Sequence, residues 1–178
     1  MITINESGMS FGPFAESHCL LIENSLLHKS VQPGAMIAEF LLIQDVGEST
    51  PPKVLVVEAK SSTPNPGSPL PGAAETFAGF IAEIREKWLN ALALAVTACA
   101  GRHASAGQVL PRAFETLPLD RAVFRLILVV NGHKAEWLPP LQEALNQSLR
   151  VACRIWDLGT GSVVVLNDAL ARQRGLIA

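Results

Sequence analysis

The sequence predicts a three-layer α/β domain in which helices flank a central mixed β-sheet. Residues 54–57 and 126–130 are continuously apolar and rich in β-branched side chains, as buried strands are. Between them, residues 75–100 place apolar side chains at helical spacing and stop at Gly101, a residue favoured just after a helix. Strands that are apolar on both faces need a covering layer on each side, so we expect helices on both faces of the sheet.

The other elements are predicted from turn signals and periodicity. Residues 1–17 are predicted to be a loose N-terminal arm, and the Pro-containing residues 61–72 an extended loop. A short helix from Phe14 competes with the first strand, and Asn167 is expected to cap the last helix. The predicted order is β-β-β-α-β-α-β-β-α. The strands are predicted at residues 19–23, 35–44, 54–60, 125–130, 151–156 and 163–166, and a tight turn pairs the last two. The helices are predicted at residues 75–100, 137–149 and 167–175.

Length and composition bound the class of protein. The 178 residues suit a single domain spanning residues 1–178, and 49% hydrophobic residues are enough for a sizeable core. No apolar run reaches the roughly 18 residues of a membrane span, and no basic-then-apolar leader opens the chain, so we expect neither membrane nor secretion. The net charge of −2 argues against a strong non-specific nucleic-acid binder. Three scattered cysteines without a CxxC pair predict no zinc site and a reducing, cytoplasmic setting.

An acid and a base close the first apolar strand. Glu58 and Lys60 are two positions apart, so they point to the same face of the sheet. Charged groups at the end of a buried strand are costly unless they are paired or used. A simple ion pair and a functional site both satisfy that condition at this point.

A second acid, Glu39, lies 19 residues upstream in the preceding predicted strand. An antiparallel pair of strands can bring Glu39 and Glu58 together, and with the Ala59 carbonyl they offer hard oxygen ligands for Mg²⁺. Lys60 is then placed to position an attacking water. Alternatives stay open: Glu39 hydrogen-bonded to backbone or to an arginine of the long helix, or Asp45, in a polar turn, as the first acid.

This pattern resembles the PD-(D/E)xK, or restriction-endonuclease-like, superfamily. The match runs through Glu39, then Glu58-Ala59-Lys60, then helix 75–100 and strand 125–130, and covers about residues 18–156. The resemblance implies a restriction-endonuclease-like fold and divalent-metal-dependent phosphodiester hydrolysis with Mg²⁺, Mn²⁺ serving as a substitute. It makes Glu39, Glu58 and the Ala59 carbonyl the metal ligands, and Lys60 the residue that orients water. The first acid is Glu where the superfamily usually has Asp, and no proline directly precedes it. An additional acid in the N-terminal segment, Glu23 or Glu16, is also implied.

The expected function is therefore a nuclease, with DNA favoured over RNA, in phage defence, mobile-element biology or repair. The acidic net charge suggests that a homo-oligomer or a partner protein supplies part of the nucleic-acid affinity. The alternative is a catalytically inactive nuclease-like fold that acts as an interaction subunit of a nucleic-acid-processing or defence complex. Low basicity and ample apolar content favour that alternative.

Overall fold

The computed structural model describes residues 1–44, 50–65, 67 and 69–178, and has a mixed α/β fold. Its strands are β1 (Ile2–Glu6), β2 (Met9–Phe14), β3 (Cys19–Leu20), β4 (Phe40–Gln44), β5 (Lys53–Lys60), β6 (Val123–Val130) and β7 (Val163–Asn167). Its α-helices are α1 (Leu26–Lys29), α2 (Ala73–Cys99), α3 (Ala106–Val109), α4 (Arg112–Glu115), α5 (Leu138–Ile155) and α6 (Asp168–Gln173).

The central sheet is mixed, as predicted. Its strand order is β3-β4-β5-β6-β7, with β3, β4 and β5 antiparallel and with β6 and β7 parallel to β5. A parallel connection must return the chain to the starting end of the sheet, which α2 does between β5 and β6 and α5 between β6 and β7. The C-terminal ends of β5, β6 and β7 therefore lie along one edge, and Lys60 is the last residue of β5 there.

Two hydrophobic layers cover the two faces of the sheet. On one face, α2 and α5 pack on alternate strand residues such as Val54 and Val56 of β5. On the other face, Leu55 and Val57 pack against β1, β2 and the segment around α6. By this alternation Glu58 and Lys60 belong to the face that α2 covers. We predicted helices on both faces, but a β-hairpin with a short helix forms the second layer.

The prediction of a loose arm over residues 1–17 is wrong. β1 and β2 form an antiparallel hairpin, and Phe11 is fully buried with its ring 5.4 Å from that of Phe40. Ser7 and Gly8 both have positive φ, which suits a two-residue turn because its twist matches that of the strands. Alternation of apolar residues around Gly8 was the sequence signal for this hairpin.

The prediction of a strand at residues 151–156 is also wrong. This segment is the C-terminal part of α5, in which Leu145, Leu149 and Ala152 continue the buried helical stripe. Because residues 151–155 are helical, β7 has no strand there to pair with, and it joins β6 in parallel instead. Asn167 does cap the last helix, accepting a hydrogen bond from the Leu170 amide at 2.9 Å.

The strands before the site are shorter than predicted. β4 begins at Phe40, so Glu39 lies just before the strand and not in its middle. β3 has two residues, and the competing helix from Phe14 is only a 3₁₀ turn at Glu16–His18. The polar loop with the alternative acid Asp45 lies outside the described residues.

Replacing Gly8 with alanine is expected to loosen the hairpin from the sheet. Gly8 has φ +76°, and an added Cβ would lie 2.8 Å from the Asn131 side-chain nitrogen, which donates to the Ser7 carbonyl at 3.1 Å. We expect Gly8→Ala to lower the free energy of unfolding by about 1–3 kcal/mol, through backbone strain and the lost hydrogen bond. Urea unfolding followed by circular dichroism measures this.

The matched control is Gly79→Ala, since Gly79 lies in α2 with open space where its Cβ would be. Alanine there is expected to raise stability by up to about 1 kcal/mol, because alanine favours helix over glycine. Equal effects of the two substitutions would contradict the proposed role of the Ser7–Gly8 turn.

Candidate functional site

Three of the acids singled out from the sequence, Glu23, Glu39 and Glu58, lie at one end of the antiparallel strands. Glu58 is the third residue from the end of β5, and the Glu39 amide donates to the Val57 carbonyl at 3.1 Å, one hydrogen bond beyond β4. The Glu23 amide in turn donates to the Glu39 carbonyl at 3.4 Å. Main-chain hydrogen bonds thus hold Glu23, Glu39 and Glu58 on neighbouring segments.

Glu6 forms a carboxylate cluster with Glu23 and Glu39. Glu6, at the end of β1, has one carboxylate oxygen that lies within 4.8 Å of one oxygen each of Glu23 and Glu39. All three side chains are partly buried. Asn131 helps to place Glu6, because its side chain binds the Ser7 carbonyl while its amide donates to the Lys60 carbonyl at 2.9 Å. The hairpin, which was predicted to be a loose arm, therefore carries one residue of the site.

Glu58 is fully buried and holds two lysines. Its Oε1 atom accepts from Lys87 Nζ at 2.7 Å and lies 3.2 Å from Lys60 Nζ. Lys60 also donates to Glu83 at 2.6 Å. Glu83 and Lys87 are four residues apart in α2, so both face the sheet end at once. The other oxygen of Glu58, Oε2, is buried without a hydrogen-bond partner among the described residues.

Burial and like charge raise the pKa of Glu39 and of Glu6. Burial raises the pKa of Glu39 to about 9, helped by a hydrogen bond from its carboxyl group to Glu23 and by the charges of Glu58, Glu23 and Glu6. The pKa of Glu6 is raised by burial and by Glu23, against the opposing charge of Lys87. Crowded carboxylates that cannot all ionise are a common property of sites that bind cations.

The two lysines lower the pKa of Glu58, against the effect of burial. Burial raises the pKa of Glu58, while hydrogen bonds and charges from Lys87 and Lys60 oppose that rise. Burial lowers the pKa of Lys60, but its contacts with Glu83 and Glu58 outweigh burial and leave the pKa raised. Lys60 therefore stays an ammonium group at neutral pH.

His28 fixes the segment that carries Glu23. This buried imidazole has Nδ1 2.7 Å from the Glu23 carbonyl and Nε2 2.8 Å from the Ala35 carbonyl. The two contacts tie the main chain at Glu23 to the main chain at Ala35, four residues before Glu39. His28 is thus a positioning residue, which its isolated place in the sequence did not reveal.

The donor set fits a hard divalent cation. Oxygens that share one ion lie at most two bond lengths apart, roughly 4.2 Å for Mg²⁺ and roughly 5 Å for Ca²⁺. The oxygens of Glu6, Glu23 and Glu39 lie within 4.8 Å of one another, which is inside this pairwise limit for Ca²⁺ and somewhat above it for Mg²⁺. The buried, unpartnered Oε2 of Glu58 is an additional hard oxygen at the same end of the sheet.

The predicted site residues have different places in this arrangement. Glu39 and Glu23 belong to the carboxylate cluster, whereas Glu58 does not, and its Oε1 contacts Lys60 and Lys87. The Ala59 side chain packs on the opposite face of the sheet. Glu16 lies apart, 3.0 Å from the N-terminal amine.

Sequence reasoning missed Glu6, Glu83 and Lys87 as members of the site. For Glu83 and Lys87 a signal existed, since their four-residue spacing in an amphipathic helix puts an acid and a base on one side. For Glu6 the signal was weaker, because it required the hairpin to be recognised first. The ion-pair interpretation of Glu58 and Lys60 is confirmed as geometry, since both residues lie in a network of salt bridges.

Comparison with protein-family models, curated proteins and solved structures gives no significant match. Within the described part of the chain, no helix has both the length and the apolar character needed to cross a bilayer.

Proposed function

We propose that this protein is a divalent-metal-dependent nuclease that hydrolyses phosphodiester bonds, with DNA favoured over RNA as substrate. The supporting observation is the convergence of Glu6, Glu23 and Glu39 beside the buried Glu58 and two lysines. Hard oxygen donors next to ammonium groups suit a reaction in which a negatively charged phosphate gains further charge.

The order of elements supports a restriction-endonuclease-like fold as part of the proposal. Glu58 lies on β5 and Glu39 directly precedes the antiparallel strand β4, and α2 then crosses to the parallel strand β6. This is the order of acid, (Asp/Glu)-x-Lys, helix and strand that the sequence resemblance implies. Glu39, Glu58 and Lys60 occupy the corresponding places.

Each residue has a distinct proposed role. Glu6, Glu23 and Glu39 are the groups that hold the cation, with Mg²⁺ as the physiological ion and Mn²⁺ as a substitute. A cation held there would supply Lewis-acid stabilisation of the phosphate and would lower the pKa of a bound water. Glu39 releases its proton when the ion binds, so binding is coupled to pH. Glu58 aligns the lysines and offers Oε2 toward the same end of the sheet.

The two lysines differ in exposure, and this separates their roles. The Lys60 side chain is 24% exposed and that of Lys87 is 13% exposed. We assign Lys60 to the attacking water and the phosphate, because solvent and substrate reach it more easily. Lys87 neutralises Glu58 and holds it in place, a positioning role.

A second candidate function is a nuclease-like fold without activity that serves as an interaction subunit. One observation favours it: the salt bridges from Lys60 to Glu83 and from Lys87 to Glu58 already satisfy these charges without a cation. In that case the network is structural and binds no metal. A cytoplasmic location and a homo-oligomer or partner protein belong to both proposals.

A cleavage assay separates the two functions. Wild type is incubated with plasmid, single-stranded DNA and RNA in Mg²⁺, Mn²⁺ or EDTA. We expect metal-dependent cleavage that Lys60→Ala lowers by roughly 100-fold or more, in line with the loss of a group that stabilises the charge developing in the transition state. Lys53→Ala is the control, since Lys53 is exposed at the opposite end of β5.

Cleavage by wild type that Lys60→Ala leaves intact would reject the assigned site. Inactivity of wild type with every metal and substrate would favour the interaction subunit. Circular dichroism of both variants confirms that a loss of activity is not a loss of fold.

A further inference from the structure

A small apolar pocket lies beyond the C-terminal edge of the parallel strands. Phe77 of α2, His133 after β6, and Trp137 and Leu141 at the start of α5 line it. Thr63, three residues after Lys60, closes one side. Ligands of open α/β sheets commonly bind outside the carboxyl ends of the strands, where this pocket is found.

Two chain segments connect the pocket to the candidate site, one that follows β5 and one that follows β6. Thr63 and Pro64 come three and four residues after Lys60 along the chain. His133 comes two residues after Asn131, whose amide donates to the Lys60 carbonyl at 2.9 Å. An extended ligand with one group in the pocket would therefore have its next groups near Lys60.

The volume limits the occupant to one small ring system. The pocket measures about 230 Å³. A cavity of roughly 150 Å³ holds benzene, whereas drug-sized ligands fill roughly 300–1,000 Å³. One pyrimidine or purine fits this size.

Aromatic side chains line the pocket, together with an imidazole that has one unpartnered nitrogen. Trp137 is 46% exposed, its ring is 5.4 Å from that of His133, and Lys134 Nζ lies 4.9 Å above it. His133 Nε2 is buried without a hydrogen-bond partner among the described residues. A nucleobase has a π-face for the aromatic walls and a polar edge for such a nitrogen, and an apolar protein side chain lacks the latter. Lys134 at the rim suits the adjoining phosphate.

We propose that the pocket formed by Phe77, His133, Trp137 and Leu141 binds one unpaired nucleobase of the nucleic acid whose phosphate lies at Lys60. This inference rests on the proposed function, which it deepens by naming a single-stranded or locally unpaired substrate. Trp137 is the stacking surface, and His133 contacts the base edge.

Binding of two strands with equal charge tests the pocket. Fluorescein-labelled oligo(dT) of eight nucleotides and an eight-unit abasic strand are titrated with the full chain, with Ca²⁺ in place of Mg²⁺, and anisotropy is read. We expect wild type to bind oligo(dT) roughly 5- to 100-fold more tightly, because base stacking on an aromatic residue has this size of effect. Trp137→Ala should abolish most of the difference, and His133→Phe should weaken oligo(dT) binding roughly 2- to 10-fold.

Ile155→Ala is the control, because Ile155 is exposed at the far end of the same helix, roughly 25 Å along its axis. Equal binding of the two strands by wild type would overturn the inference. It is the result expected if the pocket takes a protein side chain and not a nucleobase. A preference that survives in Trp137→Ala would also overturn it. The cleavage assay is read separately: cleavage without base preference rejects the pocket alone, and base preference without cleavage rejects hydrolysis alone.

Discussion

Replacing Glu58 with alanine is expected to lower the free energy of unfolding by about 3–5 kcal/mol, the usual cost of breaking a buried ion pair. Glu58 is fully buried and is the acceptor for Lys87, whose side chain is only 13% exposed. Without Glu58, the Lys87 ammonium stays in a poorly solvated place with no other ion pair at this distance among the described residues. Lys60 is affected less because Glu83 still accepts from it. Urea unfolding of wild type and Glu58→Ala measures the effect.

A double-mutant cycle identifies the cause. If the stranded Lys87 charge is responsible, Glu58→Ala combined with Lys87→Met should recover part of the loss, with a coupling energy of about 1–3 kcal/mol. Glu86→Ala, at an exposed position of the same helix, should stay within about 0.5 kcal/mol of wild type. Additive losses from Glu58→Ala and Lys87→Met would mean that the two residues do not stabilise each other.

Replacing Glu39 with glutamine is expected to stabilise the metal-free protein at pH 8 and to abolish the response to metal. The pKa of Glu39 is raised to about 9 in the folded chain, from an ordinary value of 4.5. Between these two values the folded state holds a proton that the unfolded state has lost. Stability therefore falls as pH rises through this window, and glutamine, which is neutral in both states, removes the fall.

The size of this effect is limited by solvent. A full proton difference changes stability by about 1.4 kcal/mol per pH unit, but the partial exposure of Glu39 screens its interactions. We expect wild type to lose about 1–2 kcal/mol more than Glu39→Gln between pH 5 and pH 8, as measured by urea unfolding in EDTA. Glu86→Gln should follow wild type. Stability that rises with pH only in wild type would mean that Glu39 is ionised in the folded state.

Metal reverses the pH response if the assigned ligands are correct. A cation displaces the proton of Glu39, so added Mn²⁺ should raise the melting temperature of wild type more at pH 8 than at pH 5. Glu39→Gln should show little of that increase at either pH. A similar increase in wild type and Glu39→Gln would place the metal elsewhere.

The sequence predicted the elements whose physical signals are local. The apolar run of β5 and β6 and the helical stripe of α2 each identify their structure without long-range information, and β5 was predicted to within one residue. The segment 151–156 was mistaken for a strand because its short apolar run is compatible with either structure. Only the buried positions Leu149 and Ala152 decide for a helix.

The candidate site was predicted in part for a similar reason. Glu58 and Lys60 share a strand and Glu39 is joined to them by a hairpin, so spacing alone brought these residues together. Glu6 and Lys87 reach the site from a hairpin and a helix that are distant in sequence. Their positions depend on how the layers pack, a property that single-sequence patterns do not contain.

We propose that Glu6, Glu23 and Glu39 hold a divalent cation beside Lys60, and anomalous diffraction from a crystal soaked in Mn²⁺ is the decisive experiment. The proposal predicts an anomalous peak bonded to carboxylate oxygens of these three residues at roughly 2.0–2.6 Å. It also predicts that the peak is lost in Glu39→Gln. A wild-type crystal with no peak at the cluster, with the contacts of Lys60 and Lys87 to Glu58 intact, would contradict the metal site and favour the interaction subunit.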